Sequence, residues 1–579
     1  MQKTYYSLKN FRKEMILGPI FKMLEVVFEL ITPFLMKDII DNGIIAAQNG
    51  DNYQRILIIG GIILLFCILG LCSTMVCQYY ASIASQGFGT DLRNRILKKI
   101  NILSVEDIDD FGKGNLINLI NNDVNRLQLA VAMIVRLVIR APALVVGSLI
   151  CSFLISWKIA LIYLGAIIIV SIIFYLILHF SSNKFMILQK KNDKISQTID
   201  DGLNGSRVIK SFNAEEEEVN KYKTETDSYY KDAKKVSFIN SLINPLTFLI
   251  INIAIILTIL FGEKEINITN GLFTSGDIVA LISYLNQILL ALIVVSNLVI
   301  IFNKAFASKK RVDALLIKEP SILNNPTVGK IEVNNGESIV RFENVSFAYG
   351  NSKNKVISDI SFDIKKGESV GIIGGTGSGK TTIAKLLDRY FDCSEGSIYY
   401  KGVNIKDYDL NNLHSEISYV NQKNMLFSGS VKSNMQIAKK DATDDEIFDA
   451  LKKAEAFTFV NKLNNKLEYH LEEMGRNFSG GQKQRLCIAR GILHNGEVII
   501  LDDSTSALDF LTDKKVRQNI DKIDGLTKIY ISQRVTTLSQ CDKIIVIDNG
   551  KIENIGTHEE LLASSTIYKE IYNSQIRSN

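Results

Sequence analysis

The sequence lacks several features that would assign it to common classes of protein. Its seven cysteines include no C-x-x-C pair, so their spacing supports neither a disulfide framework nor a zinc site. An excess of one charge is also missing, because 66 Lys and Arg stand against 61 Asp and Glu, a net charge of +5 over 579 residues. This balance does not indicate a nucleic-acid binder. A hydrophobic content of 47% excludes a disordered chain.

Long apolar runs are concentrated in the first half of the chain. A helix needs about 20 apolar residues to cross the roughly 30 Å hydrocarbon core of a bilayer. Six segments qualify, with some polar interruptions, near residues 17–41, 55–81, 132–156, 158–180, 242–262 and 278–303. We therefore predict an all-α membrane domain of six spans over residues 1–305, a linker over 306–338 and a second domain over 339–579.

The distribution of Lys and Arg predicts how the spans are oriented. These residues are enriched in the cytoplasmic loops of membrane proteins, and here they are concentrated in the loops 82–131 and 181–241. Both loops and both termini are therefore predicted to be cytoplasmic, in a multi-pass protein of the cytoplasmic membrane. Helical periodicity continues into the two loops, so we expect the spans to extend into the cytoplasm as stalks.

Polar residues inside the predicted spans are candidates for lining a substrate cavity, because a charge in hydrocarbon is energetically costly. Glu25 and Glu29 lie one turn apart in the first span, and Asn286 and Asn297 lie in the last. The glutamates have two interpretations: ion pairs, such as Lys22 with Glu25, or a cavity wall that prefers cations or takes part in proton movement. The asparagines fit either a cavity or hydrogen bonding between helices.

The second half of the sequence contains a phosphate-binding loop. The β-like run ESVGIIGG leads into GGTGSGKT, and the helix-like run TTIAKLLDRY follows. A G-x-x-x-x-G-K-[ST] pattern between a strand and a helix indicates a P-loop, whose backbone N–H groups and helix N-terminus bind phosphate. Lys380 is expected to reach the outer phosphates and Thr381 to ligate Mg²⁺. The residues predicted to bind nucleotide are Gly374, Thr376, Gly377, Ser378, Gly379, Lys380, Thr381 and Thr382.

A carboxylate partner for this loop follows another apolar run. The residues VIIL end in Asp502 and Asp503. A buried strand that places a carboxylate beside a P-loop completes a magnesium–nucleotide site. We therefore predict ATP and Mg²⁺ as cofactors, with Asp502 at the metal.

Further motifs resemble those of ABC transporters. The run NFSGGQKQRLCIARGIL resembles the ABC signature, while Tyr349, Gln422 and the SALD run ending at Asp509 look like the A-loop, Q-loop and D-loop. In the first half, DFGKGNLINLINNDVNRLQ and DDGLNGSRVIKSFNAEEEE resemble the coupling-helix regions of ABC exporters with six spans. The resemblance implies a half-transporter, in which an all-α six-helix membrane domain precedes an α/β ABC-type P-loop NTPase domain with a helical subdomain.

The resemblance also implies roles for individual residues. Two nucleotide domains would pair head to tail, with each ATP between the P-loop of one chain and the signature of the other. Tyr349 would stack on adenine, and Gln422 would sense Mg²⁺ and the γ-phosphate. Ser479, Gly480 and Gly481, with the N-terminus of the helix that follows, would bind the γ-phosphate of the ATP held by the partner. Gln482 and Asp509 are also predicted to bind nucleotide.

Two positions depart from the family pattern. The family usually has Glu after the metal-binding aspartate, here Asp502, and His at the switch position that follows a later strand. This sequence has Asp503 and Gln533 at these two positions. The aspartate carboxylate sits about 1.3 Å further back, and displacements of about 1 Å can cost on the order of 100-fold in rate. Glutamine cannot carry the charge of His or exchange protons. We therefore predict a degenerate site with slow hydrolysis.

The intact signature then predicts the partner. A signature acts on the other chain's ATP, so the partner is expected to be a second, non-identical half-transporter that carries Glu and His. The predicted function is export of drugs, lipids or other amphiphiles across the lipid bilayer by this heterodimer, with no role for nucleic acid. Two alternatives remain open: a homodimeric exporter in which Asp503 is a slow base, and a non-transporting, ATP-gated regulator of a membrane complex.

Overall fold

The computed structural model describes residues 4–44, 53–268, 273–324, 334, 336–350, 352 and 354–576. They divide into two compact units, one within Met1–Asn101 and Gly114–Lys318, the other within Ile102–Lys113 and Glu319–Asn579. The last long helix, Ser275–Ile317, runs past residue 305 into the predicted linker over 306–338. Residues 325–333 and 335 of that linker lie outside the described residues.

The first unit is built of helices. They include Tyr5–Leu8, Arg12–Asp38, Gln54–Ile102, Lys113–Asn118, Val124–Met133, Arg140–Ile155, Trp157–Asn204, Ser206–Ser211, Glu215–Ser241, Ile243–Ile268 and Ser275–Ile317. Short 3₁₀ and π-helical turns adjoin them at Lys9–Phe11, Ile39–Ile44, Leu119–Asp123 and Ile134–Val138. Gln54–Ile102 has 49 residues, which at 1.5 Å each gives a length of about 70 Å. The helix therefore continues well beyond its apolar span, as the periodicity of the loops predicts.

Five helical stretches among the described residues are long and apolar enough to cross a membrane, judged by length and composition. They are Gln54–Ile102, Lys113–Ile155, Trp157–Ile177, Glu215–Ile268 and Ser275–Ile317. The predicted first span lies mainly on Arg12–Asp38, whose apolar sequence is interrupted by Lys22, Glu25 and Glu29. The number of six spans therefore stays a prediction. The core of this unit includes Ile159, Tyr163, Ile251, Leu281 and Leu285, from three of the long helices.

The second unit contains twelve strands among its described residues. These are β1 (Ser338–Phe347), β2 (Ile357–Lys365), β3 (Ser369–Gly374), β4 (Glu395–Tyr400), β5 (Val403–Asn404), β6 (Ile417–Val420), β7 (Gly429–Ser430), β8 (His470–Leu471), β9 (Val498–Asp502), β10 (Thr527–Ile531), β11 (Lys543–Asp548) and β12 (Lys551–Gly556). A six-stranded sheet has the order β12-β11-β3-β10-β9-β6 and is parallel except for β12. An antiparallel sheet has the order β2-β1-β4-β5, and β7 pairs with β8.

Helices complete this α/β unit. They include Val105–Phe111, Lys380–Leu387, Leu410–Glu416, Val431–Met435, Asp444–Lys453, Phe457–Val460, Gly480–His494, Phe510–Asp521, Val535–Leu538, His558–Ser564 and Thr566–Ile576, with 3₁₀ turns at Ile405–Asp407, Lys466–Glu468 and Glu473–Gly475. Two clusters of buried apolar side chains flank the six-stranded sheet. Strand β9 is buried along its whole length, which explains the uninterrupted apolar run VIIL, because strands of parallel sheets are covered on both faces.

The parallel sheet also determines where a site can form. Strands β3, β6, β9 and β10 run in the same direction, so their carboxyl ends lie at one edge. Ligands of open α/β sheets bind at this edge. The segments that leave β3, β6, β9 and β10 there are the ones in which the sequence predicts the P-loop, Gln422, Asp503 and Gln533.

Candidate nucleotide-binding site

A cavity of about 220 Å³ lies at the carboxyl edge of the parallel sheet. It is lined by Val356, Thr376, Gly377, Gly379, Lys380, Thr381, Thr382, Gln422, Asp502, Asp503, Ile531, Ser532 and Gln533. The structure therefore gathers the P-loop, the glutamine, both aspartates and the switch residue, which are far apart in sequence. Val356 and Ile531 are apolar members of the lining that the motif analysis did not identify.

The P-loop backbone has the geometry of a phosphate cradle. Gly377 and Gly379 have φ values of +82° and +103°, which residues other than glycine rarely adopt. A Cβ on Gly374 would overlap the carbonyl oxygen of Ile547, whereas the space beside Gly375 and Gly377 is open. The loop enters the helix Lys380–Leu387, and a helix N-terminus attracts anions. These features fit a bound triphosphate.

Lys380 is held against the P-loop. Its Nζ donates hydrogen bonds to the carbonyl oxygens of Gly374 at 3.0 Å and Gly375 at 2.6 Å, and lies 3.4 Å from Ser378 Oγ. Burial lowers the pKa of Lys380, while the carboxylates of Asp502 and Asp503 oppose that shift. The cation is thus kept in a fixed position beside the loop that would hold phosphate.

Both carboxylate oxygens of Asp502 accept hydrogen bonds. Thr381 Oγ1 donates to Oδ1 at 3.0 Å and Tyr419 Oη donates to Oδ2 at 2.9 Å. Asp502 is 1% exposed, and burial raises its pKa, opposed by the hydrogen bonds from Tyr419 and Thr381. Tyr419 was not identified from the sequence. Its relation to Asp502 depends on the pairing of β6 with β9, which no local motif reveals.

The oxygen ligands at this site suit Mg²⁺ bound together with phosphate better than a metal held by protein ligands alone. Thr381 and Asp502 offer hard oxygen ligands side by side, and Mg²⁺ is typically bound through one or two protein oxygens together with phosphate and water. Within the part of the chain that the structure describes, no cluster of three or more His, Cys, Asp or Glu forms a closed metal site. The residues present therefore fit Mg²⁺ bound together with a nucleotide.

The two departures from the family pattern line this same cavity. Asp503 has a positive φ of +46°, and its N–H donates to the carbonyl oxygen of Ile531 at 2.8 Å. Gln422 Nε2 lies 3.4 Å from Asp503 Oδ2, and burial raises the pKa of Asp503, opposed by that hydrogen bond. The side chain beside the P-loop is therefore an aspartate that already contacts a glutamine.

Tyr349 lies next to the P-loop helix. Its hydroxyl is 3.0 Å from Thr382 Oγ1, and its ring packs edge-on against Phe347 and Phe391. These contacts fix the ring beside the helix that follows the P-loop. Stacking on adenine remains a prediction.

The signature residues lie elsewhere on the same unit. Ser479 caps the helix Gly480–His494: its Oγ accepts from the N–H of Gln482 at 3.3 Å, and its own N–H donates to Gln482 Oε1 at 2.9 Å. Ser479 and Gly480 are exposed, and neither they nor Gly481 and Gln482 line the cavity. Asp509 likewise caps a helix, accepting from the Thr512 N–H at 3.0 Å. One chain alone does not join its signature to its own P-loop.

A second cavity, of about 740 Å³, lies in the helical unit. Its lining is Glu25, Phe28, Glu29, Thr32, Pro33, Met36, Ile63, Phe66, Cys67, Gly70, Leu71, Thr74, Arg140, Ser283 and Gln287. Both predicted glutamates therefore line it. Asn286 and Asn297 do not, and both are exposed. The helical face that reaches this cavity is the one with Ser283 and Gln287, one turn apart.

The glutamates in this cavity form ion pairs. Arg140 Nη2 lies 3.0 Å from Glu29 Oε2, and Arg140 Nε lies 3.6 Å from Glu25 Oε1. Lys22 Nζ lies 2.5 Å from Glu25 Oε2. Two carboxylates are thus matched by two cations, which is the ion-pair interpretation of the sequence, although the glutamates also line the cavity.

Comparison with known proteins identifies the family. Residues 15–292 match the ABC transporter transmembrane region, and residues 357–506 match the ABC transporter domain. An uncharacterized ABC transporter ATP-binding protein of Bacillus subtilis, YfiB, is 32% identical over 581 residues, which cover 99% of this chain and 98% of that protein. The chain belongs to the ABC transporter family. Like its relatives, this ABC half-transporter joins one helical membrane domain to one nucleotide-binding domain.

Two further comparisons show likeness to proteins that are themselves exporters or flippases. The ATP-dependent lipid A-core flippase of Pasteurella multocida is 29% identical over 87% of this chain and 86% of that protein. The structure of a bacterial Atm1-family ABC exporter with ATP bound shares the fold, with a TM-score of 0.82 over 97% of this chain and 98% of that chain, at 23% identity. The predicted fold class is confirmed. The chain is a multi-pass membrane protein of the ABC transporter family, whose nucleotide-binding domain couples ATP hydrolysis to transport.

Proposed function

We propose that this chain is the degenerate-site subunit of a heterodimeric ABC exporter of amphiphiles in the cytoplasmic membrane, with both termini cytoplasmic. The observation that carries the proposal is the lining of the nucleotide cavity. Asp503 and Gln533 stand there beside an otherwise complete P-loop, at the positions where the family usually has Glu and His. The signature of the same chain is intact, and its residues Ser479 and Gly480 are exposed.

The cavity supports tight binding but slow hydrolysis. Lys380, Thr381 and Asp502 would hold Mg-ATP, which supplies the phosphoryl group and its metal. A general base must come within about 2.6–3.2 Å of the oxygen whose proton it takes, and Asp503 is one methylene shorter than the usual Glu. Gln533 offers an amide in place of an imidazole and cannot exchange protons. Rapid ATP hydrolysis is therefore expected at the other site of the dimer, whose P-loop belongs to the partner chain.

The intact signature supports a partner chain that hydrolyses ATP rapidly. Half-transporters of this family generally dimerise. Ser479 and Gly480 are exposed at the start of a 15-residue helix whose N-terminus carries a capping box, a suitable place to bind the γ-phosphate of ATP held by a second chain. An intact signature beside an altered catalytic base is expected when the second chain carries the Glu and His.

The lining of the cavity in the helical unit favours amphiphiles with no net charge as substrates. Phe28 and Phe66 stack at a centroid distance of 5.5 Å, so one part of the lining is apolar and aromatic. Glu29 and Arg140 supply opposite charges that already pair with each other. A singly charged ligand would leave one of them unpaired in a poorly solvated place, which is costly. Neutral or zwitterionic amphiphiles are therefore proposed as substrates.

ATPase measurements on purified chains in lipid nanodiscs test the proposal. The wild-type chain alone should show little activity, and D503E/Q533H should raise it on the order of 100-fold, because the usual base and switch residue are restored. The matched control D502N/D503E/Q533H lacks the metal carboxylate and should stay inactive. Robust activity of the wild-type chain alone would favour the homodimeric alternative.

A second measurement addresses the substrate. In the complex with its Glu- and His-bearing partner, zwitterionic amphiphiles should stimulate the ATPase and move across proteoliposome membranes. Cationic analogues of equal chain length should do so less. Absence of vectorial movement for every compound, despite ATPase activity, would favour the regulator alternative.

A further inference from the structure

The C-terminal helix contacts the segment that carries the switch residue. Gln575, on the helix Thr566–Ile576, donates from Nε2 to the carbonyl oxygen of Gln533 at 2.7 Å. Its Oε1 accepts from the N–H of Val535 at 2.9 Å. One side-chain amide thus bridges two backbone groups on either side of Arg534, and Gln533 itself lines the nucleotide cavity.

Packing fixes the position of the helix that carries Gln575. Tyr568 is fully buried, and its hydroxyl lies 2.7 Å from Nδ1 of His558. Ile571 and Tyr572 pack against the core of the domain. Tyr568 and Gln575 are seven residues apart, two helical turns, so they lie on the same face. The face that is buried against the domain is therefore the face that presents the amide to the switch segment.

Other parts of the switch segment are held by the sheet and by the D-loop. The N–H of Ser532 donates to the carbonyl oxygen of Ile372 at 3.3 Å. Arg534 Nη2 donates to the carbonyl oxygen of Ser506 at 3.0 Å. Gln575 restrains the carbonyl group of Gln533 and the N–H of Val535. It therefore limits rotation of the backbone that directs the side chain at position 533.

We propose that Gln575 is a positioning residue of the nucleotide site. The C-terminal helix, through this amide, keeps the side chain at position 533 directed into the cavity, and displacement of the helix releases it. The inference rests on the proposed function only in taking the cavity as an ATP site. It adds a regulatory role for the C-terminal helix, through which a partner that binds the helix would alter ATP turnover.

Hydrogen–deuterium exchange of the full-length chain in nanodiscs tests the contact directly. In Q575A, peptides over residues 532–538 should exchange roughly fivefold faster, as expected for loss of hydrogen bonds of ordinary strength, while peptides over 566–572 stay protected. Asn573 is exposed on the same helix, so N573A is the matched control and should change neither. Unchanged exchange over 532–538 in Q575A would overturn the proposal.

A charge variant separates positioning from general stability. In Q575E the carboxylate still accepts from the Val535 N–H but cannot donate to the Gln533 carbonyl unless it is protonated. Over residues 532–538, Q575E should therefore exchange faster than wild type at pH 8, and this difference should shrink as the pH is lowered to 5. An excess that does not depend on pH would assign Gln575 a packing role only.

The activity test is made in the restored D503E/Q533H chain. Adding Q575A should lower kcat roughly fivefold with the KM for ATP unchanged, because Lys380, Thr381 and Asp502 are untouched. Failure of D503E/Q533H to gain activity would count against the proposed function, while the exchange result would still decide the role of Gln575. A change in KM with kcat preserved would contradict a positioning role.

Discussion

At the scale of single residues, the nucleotide domain holds several carboxylates in surroundings that differ sharply. Asp502 is buried but receives two hydroxyl hydrogen bonds and lies near a lysine. Asp388, at the end of the P-loop helix, is 4% exposed, and burial raises its pKa from the ordinary value of 3.8 to about 8, opposed only in part by a hydrogen bond with Tyr390. The first is prepared for a metal, whereas the second favours the protonated form.

Asp388 should make stability depend on pH. Because its folded pKa lies above its unfolded value, its stabilising contribution is fully present below about pH 4 and is lost as the pH rises towards 8. D388N removes this loss, so the melting temperature of D388N relative to wild type should rise between pH 5 and pH 8. The exposed Asp524 provides the control D524N. A difference that stays constant with pH would show that Asp388 is already ionised at pH 5.

At the scale of elements, a buried carboxylate joins two parts of the helical unit. Asp123 ends the π-helical turn Leu119–Asp123 and is 0% exposed. It accepts hydrogen bonds from Ser308 Oγ at 2.8 Å and Arg311 Nε at 2.9 Å, both on the helix Ser275–Ile317. The contact links the first stalk loop, 82–131, to the last part of the helix Ser275–Ile317.

Breaking this contact should loosen the helical unit. Removing one partner of a fully buried pair costs about 3–5 kcal/mol, and Arg311 is about half exposed, so D123N should cost on the order of 2 kcal/mol. The melting temperature should fall, and peptides around 119–127 should exchange faster with deuterium. The control is D109N, at an exposed position. No change in either measurement would mean that the two helices are held by apolar packing alone.

The elements also show which parts of the site a sequence can predict. Lys380 and Thr381 belong to a local motif, so their spacing alone places them beside phosphate. Tyr419 depends on the pairing of two strands more than 70 residues apart in sequence, and such pairing leaves no local signal. Asn286 is a comparable case, because the face of a long helix that meets a cavity is decided by its neighbours.

At the scale of the whole molecule, the P-loop and the signature of one chain lie at different places on the nucleotide domain. The chain contains a P-loop cavity and an exposed signature that do not meet within it. Under the proposed head-to-tail pairing, a complete site requires a second chain. If that chain is identical, both sites contain Asp503 and Gln533 and are equivalent. If it differs and carries Glu and His, this chain's signature serves the fast site and its P-loop serves the slow one.

Two substitutions in this chain distinguish these assemblies. In the heterodimer, S479R should lower ATPase activity on the order of 100-fold, because it removes a contact to the transferred phosphate at the fast site. K380A should lower it only a few-fold, since it affects the slow site. Ser415 is exposed on a short helix of the same domain, so S415R controls for the added arginine. Equal losses from S479R and K380A would mean that the two sites are equivalent, which would contradict the assignment of a slow site to this chain's P-loop.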